Sequence, residues 1–186
     1  MTATPPMPPR PIGPRVPQGA PKTFIEHTHE FSFVHAAPRE RVWAWLNNPG
    51  TFTRQVWPYR VEFVEGAEGQ DGFEEGALNV HHGPLLCVAG MMTAVDAGED
   101  GKGRYRELRY CYGSHVLSLR AIRPTALEFW VEDAAIPGGE AGTRVRGRLT
   151  SLVHPGARGP WSLIQRTFWP SFRFWLRREV KADGAR

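Results

Sequence analysis

The sequence predicts an α+β fold: a curved antiparallel β-sheet of seven or eight strands wrapped around one long C-terminal helix, with two short helices after the first strand. Three observations lead there. Residues 159–180 form an amphipathic run of helical length. Between Tyr59 and Val153 the chain breaks into short segments, several of them alternating, separated by turn signals. Between the first such segment and the rest lie two short helical pieces ended by prolines. Strands joined by hairpins pair antiparallel, and one amphipathic helix at their end must bury its apolar face against them.

In chain order, residues 1–22 carry eight prolines, at positions 5, 6, 8, 9, 11, 14, 17 and 21. Few backbone donors remain and polyproline II is the natural conformation, so this stretch reads as an arm outside the core. A single domain then spans 23–182. In the first strand, Thr23 to His35, the residues Ile25, His27, His29, Phe31, Phe33 and His35 share one face. Pro38 opens a short helix that ends before Pro49, with Val42, Trp43, Trp45 and Leu46 on its inner side, and 50–58 reads as a second helical piece.

Strands follow at 60–65, 76–82, 85–95, 104–112, 115–122, 126–133 and 143–153, with turns at Gly83-Pro84, Asp100-Gly101, Gly113-Ser114 and Pro124-Thr125. Leu85–Val95 is apolar on both faces, as a central strand would be. Leu108 and Tyr110 face in. So do Phe129 and, on the last strand, Val145 and Leu149, while Arg144, Arg146 and Arg148 face out. In the final helix Gly159 is the expected N-cap and Pro160 the first helical residue. Trp161, Ile164, Phe168, Trp169, Phe172, Trp175, Leu176 and Val180 fall on one arc, opposite Arg166, Arg173, Arg177, Arg178 and Lys181. Pro170 is expected to kink the helix around what it covers. Leu163 and Phe174 break the pattern and are candidates for contact with the arm or a second subunit.

The chain has 186 residues, 41% hydrophobic and 23% charged, which suffices for one sizeable core. Its net charge of +4 comes largely from arginines of the last strand and helix, read first as a solvated basic face, with contact to nucleic acid or an anionic membrane as the alternative; no nucleic-acid partner is expected. No apolar run reaches membrane-spanning length and no secretory signal is visible, so a cytoplasmic protein without stable membrane insertion is expected. Cys87 and Cys111 read as reduced core thiols, bridged only if their strands pair closely.

The order and spacing of three stretches resemble those of the START-like, polyketide-cyclase-like (SRPBCC) superfamily. They are Phe31–Pro49, Val61-Glu-Phe-Val-Glu-Gly66, and Gly142-Thr-Arg-Val145. The resemblance covers roughly 24–180. It implies the helix-grip fold and a hydrophobic pocket between sheet and long helix, where superfamily members hold lipids, sterols, polyketides or quinones, and where a minority act as cyclases or hydrolases. The Pro-rich arm and the strand around 115–122 depart from the usual pattern.

For chemistry, the antiparallel first and last strands could bring His27 and His29 towards His154, three imidazoles able to hold zinc. No carboxylate or cysteine completes a recognisable spacing, and rim histidines bonded to backbone are the simpler reading, so no metal or cofactor is expected. His81-His82 reads as a turn-end pair. Tyr110, Tyr112, Ser114 and His115 could move protons, but no GxSxG, P-loop or GxGxxG is present and no catalytic residue is assigned. The first function expected is binding of an apolar or amphipathic small molecule. Its walls would include Phe31, Phe33, Met92, Leu108, Tyr110, Phe129, Leu149, Trp161, Phe168, Phe172 and Trp175, with His27, His29 and Tyr110 supplying orientation. The alternatives are a polyketide cyclase or dehydratase, and an interaction module using the arm; a homodimer is left open.

Overall fold

The computed structural model describes residues 21–48, 51, 60–63, 73–83, 86–95, 103–111, 115–116, 120–136 and 141–183. The side chains of 60–63, 83, 86, 115, 141 and 179–183 are not described. The first twenty residues of the arm, nearly all of the second helical piece and the turns at 100–101 and 113–114 lie outside these residues. The strands are β1 (Ile25–His35), β2 (Arg60–Phe63), β3 (Leu78–Gly83), β4 (Leu86–Val95), β5 (Gly103–Tyr110), β6 (His115–Val116), β7 (Ile122–Ala135) and β8 (Ala141–Val153). The helices are α1 (Arg39–Asn47), α2 (Arg158–Phe168) and α3 (Pro170–Asp183). The strands form one antiparallel sheet in the order β1-β8-β7-β5-β4-β3-β2, with β6 beside β4 and β7. The predicted α+β architecture is therefore the observed one.

Register explains how the sheet selects its inner face. Phe31 lies opposite Gly147, Gly147 opposite Phe129, and Phe129 opposite Arg106. Leu149, Leu127, Leu108 and Met92 form the next row, and Tyr110, Gly90 and Asn79 another. Side chains on directly paired residues share a face, so every sheet residue proposed as pocket wall lies on one side. The C-terminal helices cover that side. The Trp169 ring stacks on Phe31 with centroids 4.3 Å apart, and Phe172 stacks on Phe129 at 6.0 Å. Trp161, Trp169, Phe172 and Leu176 are all buried. Gly147 makes the stack possible: a Cβ there would fall 2.0 Å from the Phe31 ring.

Helix α1 closes one end. Its Trp45 meets Phe172 edge-on at 6.3 Å. The Thr143 hydroxyl donates to the Ala37 carbonyl at 2.6 Å, and Arg106 donates to the Leu46 carbonyl at the other end of α1. On the outward face, charges pair across strands, Arg146 with Glu132 and Arg148 with Glu30 and Glu128, while at the α1 end of the inner face Arg104 pairs with Glu40.

Four local expectations are corrected. Pro124-Thr125 is not a turn but a bulge inside β7, where the register shifts between Pro124 and Ala126. Proline cannot donate to the ladder there, and the Thr125 hydroxyl bonds the Thr150 carbonyl at 3.0 Å instead. The terminal helix starts at Arg158 behind a 3₁₀ turn, Pro155–Ala157, so Gly159 is not its N-cap. The helix is interrupted at Trp169, because Pro170 has no N–H to bond one turn back. Cys87 is exposed rather than core, and it and Cys111 are both free. Cys111 lies against Ala89, two residues along β4 from Cys87.

Candidate functional site

The inner face divides into two halves of different chemistry. Over β1, β8 and β7 it is an aromatic core: Phe31, Phe129, Trp169 and Phe172 touch one another, and Phe168 and Trp175 extend the cluster along the helix. Gln165, itself buried, fixes the Trp169 ring by accepting from its Nε1 at 2.6 Å. The predicted wall residues Phe129, Leu149, Trp161 and Phe172 are thus buried, while Phe31, Phe33, Phe168 and Trp175 are half-buried at its margin.

Over β5, β4 and β3 the same face carries polar groups among apolar ones. Met92, Leu108, Val88 and Val116 are buried there. Between them lie Arg106, Tyr110, His81 and Asn79. Arg106 is buried, with its guanidinium over the Phe73 ring at 4.7 Å and the Phe129 ring at 5.0 Å. Burial lowers its pKa to about 9, partly opposed by Tyr110, so it stays charged at neutral pH. Tyr110 and His81 meet edge-on, centroids 5.8 Å apart. Burial pushes the Tyr110 phenol up, against a smaller opposite effect of Arg106. Burial first, then Arg106 and His82, lower His81 to about 4. Near pH 7 the group is therefore one cation, one neutral phenol and one neutral imidazole. The buried Asn79 Oδ1 has no hydrogen-bond partner among the described residues.

Of these, sequence reading placed only Tyr110, Leu108 and Met92 at the site. It read His81 as half of a turn-end pair, whereas His81 faces inward against Tyr110. Arg106 was legible in principle: stepping back by two from Leu108 and Tyr110 puts it on the inner face. An arginine against that parity is a signal in itself.

His27 and His29 lie at the sheet edge, where a groove of about 480 Å³ opens between β1 and α2, lined also by Glu26, Glu30, Arg158, Ser162 and Arg166. Burial, then the nearby Arg158 for His27 and His27 and Arg166 for His29, holds both below the ordinary histidine pKa. His154 does not join them. Its Nδ1 accepts from the Gly156 N–H at 3.2 Å, capping the 3₁₀ turn, and its ring sits edge-on to Phe24. Among the described residues no three His, Cys, Asp or Glu side chains are grouped to hold a metal.

The backbone is similar to that of norcoclaurine synthase from Thalictrum flavum, solved in complex with dopamine and hydroxybenzaldehyde. The TM-score is 0.55 at 13% identity over 86% of this chain and 89% of that one. A truncated form of that synthase gives 0.56 at 13% identity, over 89% of this chain and 98% of the other. The chain also resembles Ara h 8.0201, with a TM-score of 0.51 at 16% identity over 84% and 99%. The chain has the helix-grip fold. This is the fold that the resemblance in the sequence implied. No family model and no curated protein matches the sequence. Within the described residues no helix is long and apolar enough to cross a membrane.

Proposed function

We propose that this protein binds an apolar or amphipathic small molecule between the inner face of the sheet and its C-terminal helices. The observation that carries the reading is the β3–β5 half of that face. An apolar wall of Met92, Leu108 and Val88 with a few convergent polar groups, Arg106, Tyr110, His81 and Asn79, is the usual chemistry of a small-molecule site. A purely structural core would gain nothing from an amide oxygen buried, as that of Asn79 is, without a partner among the described residues. An aromatic amphiphile suits the arrangement: its ring against Met92 and Leu108, its hydroxyl or carbonyl on Tyr110, His81 or Asn79. Lipid, polyketide and quinone-like ligands offer the same combination. The dopamine and hydroxybenzaldehyde of the norcoclaurine synthase complex, both aromatic, add support by likeness of fold alone.

Native mass spectrometry of freshly purified protein, followed by titration with aromatic amphiphiles, tests this. The expected result is a one-to-one adduct that Met92→Trp abolishes while the fold persists. An adduct-free spectrum with no thermal shift across the panel would overturn it.

A second reading is enzymatic, a cyclase or dehydratase type of reaction. It is favoured by one observation: His81 and Tyr110 are two titratable groups in ring contact on a largely apolar wall. Turnover of a bound carbonyl compound that is lost in His81→Phe without loss of binding would establish it.

A further inference from the structure

The C-terminal helices carry a second amphipathic pattern, on the side facing away from the sheet. Leu163, Thr167, Pro170 and Phe174 recur at helical spacing and all are exposed. Leu163 and Phe174 are 63% and 64% exposed, far above any other large hydrophobic residue described. At 1.5 Å per residue they stand about 16 Å apart along the helix. Half-buried Ile164, Phe168 and Trp175 continue the apolar surface along one flank. Arg166, Arg173 and Arg177 line the other, and Arg178 stands beside Phe174's end of the stripe.

The charge on this face is of one sign. Between Arg158 and Arg178 the sequence has five arginines and no carboxylate. Several arginines of the sheet are paired with carboxylates, as with Arg146–Glu132, Arg148–Glu30 and Arg104–Glu40. Arg166, Arg173, Arg177 and Arg178 make no ion pair with a carboxylate among the described residues. Arg166, Arg173, Arg177 and Arg178 thus flank the two most exposed large apolar side chains among the described residues.

We propose that this outer face docks on an anionic lipid surface. The helices would lie in the headgroup plane, with Leu163 and Phe174 in the acyl boundary, Trp175 at the interface and the arginines on the headgroups. Both halves of the pattern are used: the apolar stripe supplies burial and the arginines supply charge complementarity. A second copy fits poorly, because a two-fold contact would set the same arginines against each other. Nucleic acid would satisfy the arginines but leaves Leu163 without a role. The inference stands independently of any ligand inside the fold.

Flotation of the full chain with vesicles tests it, using phosphatidylcholine alone and phosphatidylcholine mixed with phosphatidylserine, at low and raised salt. The chain is expected to float with the mixed vesicles, to stay behind with phosphatidylcholine alone, and to be released by salt. Leu163→Ser with Phe174→Ser, and separately Arg173→Glu with Arg177→Glu, should each lower partitioning about tenfold or more. Unchanged circular dichroism and Tm would show that the variants fold, as expected for four exposed positions. Three results would overturn the proposal: no flotation with phosphatidylserine; binding unaffected by the two serines, together with tight binding of an RNA oligonucleotide; or a dimer that Leu163→Ser dissociates.

Discussion

Gly147→Ala is the smallest change that reaches the clasp between sheet and helix. A Cβ at this position would lie 2.0 Å from Phe31 Cζ, 2.4 Å from Cε1 and 2.8 Å from Cε2. The ring must therefore move by more than an ångström, off the Trp169 indole that it stacks on at 4.3 Å. Overpacking costs about 1–3 kcal/mol, and loss of the aromatic pair about 0.5–1.5 kcal/mol. Alanine recovers about 0.5–1 kcal/mol relative to glycine in a strand. The clash wins, with a net loss of about 2 kcal/mol and a fall in Tm of roughly 4–8 °C for a chain of this size. Urea denaturation followed by circular dichroism measures the loss, and tryptophan emission reports Trp169. The control is the same change in Phe31→Leu, since leucine lacks the three ring atoms in conflict. There, Gly147→Ala should cost less than about 0.5 kcal/mol. An equal cost in both backgrounds would refute the reasoning.

Four further outcomes are expected. Arg106→Ala leaves the Leu46 carbonyl unpaired and a cavity beneath Phe73, and should cost about 3 kcal/mol by urea midpoint. Arg146→Ala, which breaks an exposed pair with Glu132, should cost under about 1 kcal/mol in the same assay. Thr143→Val removes the hydrogen bond to Ala37 that anchors the approach to α1, and should cost about 1–2 kcal/mol. For pH, His81 has a folded pKa of about 4, below the ordinary 6.5. The unfolded chain therefore takes up the proton first, and stability falls as pH drops from about 6.5 towards 4, by up to about 3 kcal/mol. Buried His35, held low by burial and then by Arg177, Arg173 and Arg41, acts in the same direction. His81→Phe should flatten much of the profile between pH 7 and 5, read as urea midpoints; an unchanged profile would remove His81 from the account.

The period-2 and period-3.6 patterns carried most of the fold because each inner residue has its neighbours on a common face. Phe31, Phe129 and Leu149 could be assigned inward from their own strands without knowing which strand lay beside which. Local irregularities were less legible. Pro124 reads as a turn in sequence, and only the neighbouring strand's Thr150 carbonyl, reached by Thr125, shows that the strand runs through it. The site was half legible for a related reason. Hydrophobic parity finds apolar walls but passes over polar residues of the same parity, so Tyr110 was placed while Arg106, Asn79 and His81 were not. His154 shows the converse: sequence proximity of strand ends brought it near β1, but the turn that follows takes up its nitrogen.

The most direct measurement of the central claim is the binding of an apolar fluorescent probe to the wild-type chain, to Met92→Trp and to Leu163→Ser. One saturable site is expected in the wild type and in Leu163→Ser, and its loss in Met92→Trp with Tm maintained. Saturable binding that survives Met92→Trp and disappears in Leu163→Ser would place the apolar site on the outside of the helix and contradict the proposed interior.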